Sequence, residues 1–446
     1  MKRTYFPVLL LSLASCMALN AQDAAQAPIK RELPAHGAGH ILVPLASTEQ
    51  PGDAGVRMHT HFLVHVPPGH TDARPGFTVA EFPPNAIQPV TGEVSETPAS
   101  LACLYGQVKA TTGCNPTTLT TVPTGGSKAV AIVDAYDDPH VLADLKVYST
   151  QFGLPAPVST GAKPNFTVVF QGATNPGPDP LCAGGNGTQC WGSETSLDVD
   201  MVHAMAPSAH IYLVEADSAS NADLYASVAK AIGLVQAAGG GEVSMSWGQP
   251  EYPTEQSDDA TFVGTGVVLF ASSGDTPGTE FPSVSPNVVA VGGTSISRNP
   301  TTWAFQKEIT WDQDGDGFSQ YEPRPSFQNG IQTAVGEWRG VPDVAAAANP
   351  YTAVWIYDSY QTAGFPWVQI GGTSESAPLW AGIVNASGHF RESSAAELGT
   401  IYDNAKTASA FRDITDGACE FSYGYLAAAG WDPCTGNGAP YGNAYK

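Results

Sequence analysis

The chain has 446 residues, with 42 acidic against 19 basic side chains and a formal charge of −23. That length suits one large domain or two smaller ones. So negative a surface repels phosphate backbones and excludes nucleic-acid binding; it is equally the surface that solvates an exported protein and one adapted to acid, near its pI of about 4.6.

At the N-terminus Lys2 and Arg3 precede an apolar run over residues 7–13 and then small residues. This is the pattern of a secretory signal, too short to span a bilayer as a permanent helix. Two exits stay open. Cleavage after Ala21 gives a secreted soluble protein. Leu13-Ala14-Ser15-Cys16 is also similar to a bacterial lipobox, which would make Cys16 a lipid anchor and the protein a periplasmic or outer-membrane lipoprotein. No later segment is long and apolar enough to span a membrane.

Residues 22–97 are rich in Pro and carry His36, His40, His59, His61, His65 and His70, six of the ten histidines. We read them as a pro-like segment. One strand is legible over residues 58–66, with Met58, Phe62, Val64 and Val66 on one face and His59, His61 and His65 on the other. No carboxylate or thiol joins these histidines, so a solvated strand face is expected rather than a metal site. A third reading is a pro-region whose histidines charge as the pH falls and loosen it.

From about Thr97 the texture becomes α/β. Strands are expected over 127–134, 167–170, 209–214, 242–247, 267–271 and 287–291, with helices over 141–152 and 221–238. Strands alternating with helices imply a doubly wound, mostly parallel sheet with helices on both faces, whose active site lies at the carboxyl ends of the strands. Apart from Cys16 there are six cysteines. In an exported chain these suggest disulfides, and close spacing favours Cys103–Cys114, Cys182–Cys190 and Cys419–Cys434.

The chemistry concentrates in three strings. Glu194 and Asp198 are four apart on an expected helix, so both carboxylates share a face. Like charges so placed are tolerated when they share a proton, which holds one of them near a useful pKa. Asp275 follows an expected buried strand directly and, when protonated, would donate to a developing oxyanion. Gly371-Gly372-Thr373-Ser374 turns sharply into the apolar run 379–384, which places the Ser374 hydroxyl at a helix N-terminus. A serine needs a base. Asp134 ends the first strong strand, where a subtilisin-like enzyme keeps its aspartate, but no histidine motif accompanies it. His203 sits in an apolar helical stretch and is expected to be packed.

Together these strings resemble the sedolisin family, the serine-carboxyl peptidases, over roughly residues 97–446. That resemblance implies a subtilisin-like fold over a domain at 98–446, with Ser374 as nucleophile and Glu194 as its base and later acid. Asp198 would orient Glu194, and Asp275 would join the Ser374 N–H in an oxyanion hole. Ser244-Met245-Ser246-Trp247-Gly248 resembles the family's substrate-binding strand edge. The tail resembles its single Ca2+ site, with carboxylates from Asp413 and Asp432 and carbonyls from Ile414, Ala428 and Gly430, an all-oxygen set suited to calcium. Asp312-Gln313-Asp314-Gly315-Asp316 imitates the start of a calcium loop, but its closing acid is out of register, so a plain loop is expected. The long folded pro-domain usual in the family has no counterpart in residues 22–97. The expectation is an exported, monomeric endopeptidase acting on proteins or peptides at acid pH. A non-catalytic binding protein on the same fold and a tripeptidyl exopeptidase are the alternatives.

Overall fold

The computed structural model describes residues 39–78, 87–183, 187–360, 362, 364–407, 409–420, 424–444 and 446. The signal, the lipobox and Cys16 lie outside the described residues. Strands β1 (His40–Leu42), β2 (His59–Thr60) and β3 (Leu63–Val66) precede helix α1 (Pro98–Leu104). The alternating region then runs β4 (Ala129–Ala135), α2 (Val141–Phe152), β5 (Phe166–Phe170), α3 (Trp191–Met205), β6 (His210–Ala216), α4 (Asn221–Ala237), β7 (Gly241–Met245), β8 (Trp247–Pro250), β9 (Val267–Ser272), β10 (Glu280–Phe281) and β11 (Val289–Arg298). After β12 (Phe305–Thr310) come β13 (Gly317–Pro323), α5 (Gln332–Val335), β14 (Trp338–Val341), β15 (Val344–Ala347), β16 (Val354–Tyr357), β17 (Trp367–Gly371), α6 (Thr373–Ser387) and α7 (Ser394–Asn404).

Eight strands form the central sheet, in the order β12-β11-β9-β7-β4-β6-β5 with β15 also on β11. Every pairing is parallel except β11 with β12. The sequence dictates this. β4, β7 and β9 are buried at every position, as strands covered on both faces must be, and β4 and β9 read as near-continuous apolar runs. The helices are set by local signals. Ser220 caps α4 by accepting from the Asp223 N–H, and α2 stops at Gly153, whose φ of 72° is left-handed. α4 packs on β4, β6 and β7, α6 on β7, β9, β11 and β15, and α3 on α6 and β4. Every residue of α3 is buried, acids included, which is how Glu194 and Asp198 reach the interior.

The three expected disulfides are present: Cys103–Cys114, Cys182–Cys190 and Cys419–Cys434. Among the described residues no helix is long and apolar enough to cross a membrane.

The histidine segment departs from expectation. The single strand expected over 58–66 is two: β2 pairs with β8, and β3 pairs with β17 in a second, antiparallel sheet of order β1-β3-β17-β16. The chain passes from one sheet to another at residues 61–62. His59, His61 and His65 are therefore 5, 1 and 3 % exposed and form no solvated face. Period-2 alternation tells one face of a strand from the other; it says nothing of what covers the second face.

Candidate active site

Ser374 stands in the first turn of α6. Its entry residue, Gly372, has a φ of 117°, and a Cβ there would lie 2.2 Å from the His61 carbonyl oxygen and 2.5 Å from Asp275 Oδ2. Only glycine satisfies both demands. Pro378 cannot donate to the Ser374 carbonyl one turn back; the Ser246 hydroxyl lies 3.4 Å from that oxygen instead. As an early residue of the helix, Ser374 also has an N–H without an intrahelical partner.

The structure brings the four sequence-derived residues together. Ser374 Oγ donates to Glu194 Oε2 at 2.9 Å and lies 3.1 Å from the Ser246 carbonyl oxygen. Asp198 Oδ1 accepts from Ser246 Oγ at 2.6 Å. Glu194 Oε1 and Asp198 Oδ2 are buried without a hydrogen-bond partner among the described residues. Asp275, just beyond the carboxyl end of β9, accepts through Oδ1 from Thr373 N at 2.7 Å and Thr373 Oγ1 at 2.9 Å. Its Oδ2 is shut away from solvent without a partner among the described residues.

The electrostatics follow from burial. Loss of hydration raises the Glu194 carboxyl well above the usual range, and Asp198 and Asp134 add to the rise. Burial pushes Asp198 up to about 8 against the opposing hydrogen bonds of Ser246 and Glu194. Asp134, at the end of β4, is raised by burial and by Asp198. The three acids thus form one interacting set that titrates together. Burial also raises Asp275, although the Thr373 N–H and hydroxyl pull the other way. The arrangement offers a hydroxyl on a carboxyl pair, beside a protonatable carboxyl and a helix N–H that is not spent within the helix. His203 is packed as expected, with Nε2 2.8 Å from the Pro155 carbonyl oxygen. The Asp312–Asp316 loop braces the Asp275 turn: Asp314 Oδ1 accepts from Ser273 Oγ at 2.9 Å and Gly315 N donates to the Gly274 carbonyl at 2.8 Å.

The strand edge beside Ser374 that the sequence pointed to, Ser244–Gly248, is covered by residues 59 and 60, which sequence reading did not place there. β2 lies antiparallel on β8, with His59 opposite Gly248 and Thr60 opposite Trp247. The Trp247 indole fixes that edge by donating to the Val133 carbonyl at 2.7 Å. Ser374 N donates to the His61 carbonyl at 2.9 Å. A carboxylate does join the histidines, contrary to expectation: Glu280, on β10, meets His59 and His61. It is more than two hundred residues away in sequence, and only the pairing of β10 and β2 with the two edges of β8 brings them together.

In the tail, Asp432 accepts the N–H groups of Ala428, Cys434 and Thr435, and Asp413 accepts that of Gly430. Both acids thus fold one loop around themselves, with Ile414 buried next to Asp413. Burial, with Asp413 contributing, pushes Asp432 up to about 7. Carboxylate oxygens such as those of Asp413 and Asp432 are donors that suit a hard divalent cation, although in this structure both acids accept backbone N–H groups.

The comparisons agree with this geometry. A family model described as "Subtilase family" matches residues 180–425. Kumamolisin from Bacillus sp. (strain MN-32) is 30% identical over 355 residues, covering 71% of this chain and 59% of its own length. Sedolisin from Pseudomonas sp. (strain 101) is 26% identical over 389 residues, covering 78% and 62%. The chain thus spans about three fifths of the length of these relatives. A solved structure of Pseudomonas sedolisin complexed with pseudo-iodotyrostatin has the same fold, at a TM-score of 0.61 and 23% identity over 78% of this chain and 96% of that one. This chain belongs to the subtilase family, in its sedolisin group of serine-carboxyl peptidases.

Proposed function

We propose that this protein is an exported serine-carboxyl endopeptidase that hydrolyses proteins or peptides at acid pH, with residues 98–446 as its peptidase domain. One observation carries the reading: the Ser374 hydroxyl donates at 2.9 Å to a buried carboxyl that is itself coupled to a second. Ser374 Oγ attacks the substrate carbonyl carbon while Glu194 takes its proton and then delivers it to the departing amine. Asp198 holds Glu194 and shares a proton with it. Over the pH range in which the pair carries one proton, a base is available where histidine would be locked in its charged form. Protonated Asp275 and the Ser374 N–H stabilise the oxyanion. Water retraces the route to release the acyl group.

The continuity of the cleft-bound chain supports endo- over tripeptidyl cleavage. Upstream of His59 the chain continues through Met58, whose N–H donates to the Ala219 carbonyl at 2.9 Å, so the cleft passes a chain with no free amine three residues before the reacting position. Calcium would be held by Asp413, Asp432 and the carbonyls of Ile414, Ala428 and Gly430. It supplies a structural cross-link of the tail.

The test is hydrolysis of denatured protein from about pH 2.5 to 8 by wild type and Ser374→Ala. Cleavage confined to acid pH and abolished in the variant is expected. Absence of cleavage by the folded wild type at every pH refutes the reading in favour of a binding protein.

A further inference from the structure

Two histidines and a glutamate converge where the peptidase chemistry does not use them. β2 and β10 lie on the two edges of β8, with His59 opposite Gly248 and Phe281 opposite Gln249. His61 Nε2 is 2.9 Å and His59 Nε2 3.4 Å from the same oxygen, Glu280 Oε2. The donor atoms of the three side chains all lie within 4.8 Å of one another, and all three residues are buried. Gly248 keeps the space open: a Cβ there would lie 2.7 Å from both Glu280 Oε2 and His61 Cε1 and 3.1 Å from His61 Nε2.

Hydrogen bonding accounts for only part of this cluster. The His59 contact, at 3.4 Å, is outside the usual N–H···O range of about 2.7–3.2 Å. His59 Nδ1 is buried without a hydrogen-bond partner among the described residues. A zinc ion holds imidazole nitrogens and carboxylate oxygens tetrahedrally at about 2.0–2.2 Å, which sets the donors about 3.3 Å from one another. The separations of 2.9 and 3.4 Å lie on either side of that spacing. Two imidazoles and a carboxylate are a zinc donor set, whereas calcium takes oxygen alone. His61 Nδ1, 2.6 Å from Ser272 Oγ, fixes the ring with Nε2 on Glu280, as an outer partner orients a ligating imidazole. Burial pushes His61 toward its neutral form, the form that ligates. Burial would lower His59 too, but Glu280 outweighs it and raises that imidazole, so a metal there displaces a proton.

We propose that His59, His61 and Glu280 bind a divalent transition ion, zinc first, and that the ion clasps residues 59–61 onto the β8 edge. Backbone bonds alone otherwise hold that segment: His61 N lies 3.3 Å from the Ser246 carbonyl, and the His61 carbonyl accepts from Ser374 N at 2.9 Å. Glu280 is 219 residues from His61, so an ion shared between them adds a cross-link that neither strand supplies. While it is closed, the chain's own segment covers the β8 edge and the Ser374 N–H. On the peptidase reading, on which this consequence rests, the zinc-loaded form is the one whose substrate edge is shut.

The test uses the full chain carrying Ser374→Ala, so that no proteolysis enters the measurement, at about pH 7.5 with excess calcium present. Competition with a chromogenic chelator should show one Zn2+ per chain with a Kd of about 1 µM or tighter. Glu280→Gln and His59→Gln should each weaken uptake by about 100-fold or more, past the roughly 10- to 100-fold expected of the outer partner in Ser272→Ala. Zinc-edge X-ray absorption of the unsubstituted site should show two imidazole nitrogens at about 2.0–2.1 Å, a readout that does not depend on a variant folding. Hydrogen exchange then reads the clasp. The Thr60 N–H bonds the Ala46 carbonyl and the His61 N–H the Ser246 carbonyl. Openings that free these amides also break the site, so zinc at about 100 times its Kd should slow their exchange about 100-fold. No zinc uptake, uptake unchanged in both ligand variants, or exchange slowed less than about threefold at that zinc concentration overturns the proposal. Neither readout uses catalysis: failure to digest casein at any pH would remove the peptidase reading and leave the metal site standing.

Discussion

Replacing Asp275 tests how this site stabilises charge. Asp275 spends Oδ1 on the Thr373 N–H and hydroxyl, at 2.7 and 2.9 Å, and keeps Oδ2 buried and unshared among the described residues. Burial raises its pKa, so the proton it needs as a donor is present at acid pH and persists above the ordinary carboxylate range, then is lost as pH rises through the folded value. Asp275→Ala removes the donor, and loss of one oxyanion-hole donor costs about 10²- to 10³-fold in kcat, or about 2.7–4 kcal/mol. Asp275→Asn keeps the Thr373 bonds through its amide oxygen and places an N–H₂ where Oδ2 stood. It should retain far more activity than the alanine variant and extend activity toward higher pH, because an amide keeps its donor at every pH. The assay is kcat against pH from about 3 to 8 on one peptide for the three proteins. A kcat for Asp275→Ala within threefold of wild type would refute the reasoning.

Three further outcomes are expected. With chelator present, the melting temperature should fall between pH 5 and 8: burial pushes Asp198 up to about 8, Glu215 to about 9, and Asp358 and Glu397 to about 7. Above about pH 4 the unfolded chain therefore releases protons that the folded one keeps, and stability drops as pH rises; a shift on the order of 5 °C is expected by calorimetry, and a rise would contradict the burial argument. Calcium at about 100 times its Kd should add about 2.7 kcal/mol, seen as a higher melting temperature that Asp432→Asn abolishes, while a calcium effect that survives Asp432→Asn would place the ion elsewhere. Opening Cys419–Cys434, which closes a separation of 15 residues beside that loop, by a double change to alanine should cost about 3 kcal/mol in denaturant unfolding.

Much of this was legible in the sequence because it is local. The buried strand 129–135 reads as an apolar run up to Asp134, the helix 141–152 stops at a glycine, and Glu194 and Asp198 share a face by helical spacing alone. Disulfides between near neighbours are legible for the same reason. What escaped is long-range. The alternation of residues 58–66 reads one strand where the chain builds two in different sheets, and the burial of its histidines comes from β8, β10 and β17, all more than 180 residues later. Glu280 gave no signal, since a lone acid in a two-residue strand looks like any turn-flanking carboxylate. The sedolisin-like strings could be matched because each is contiguous in sequence: Glu194 and Asp198 within α3, Asp275 just after β9, and Ser374 at the start of α6. His61 and Glu280 belong to no such string. They meet only once β2 and β10 are laid on the two edges of β8, and nothing in the local pattern of either segment announces that pairing.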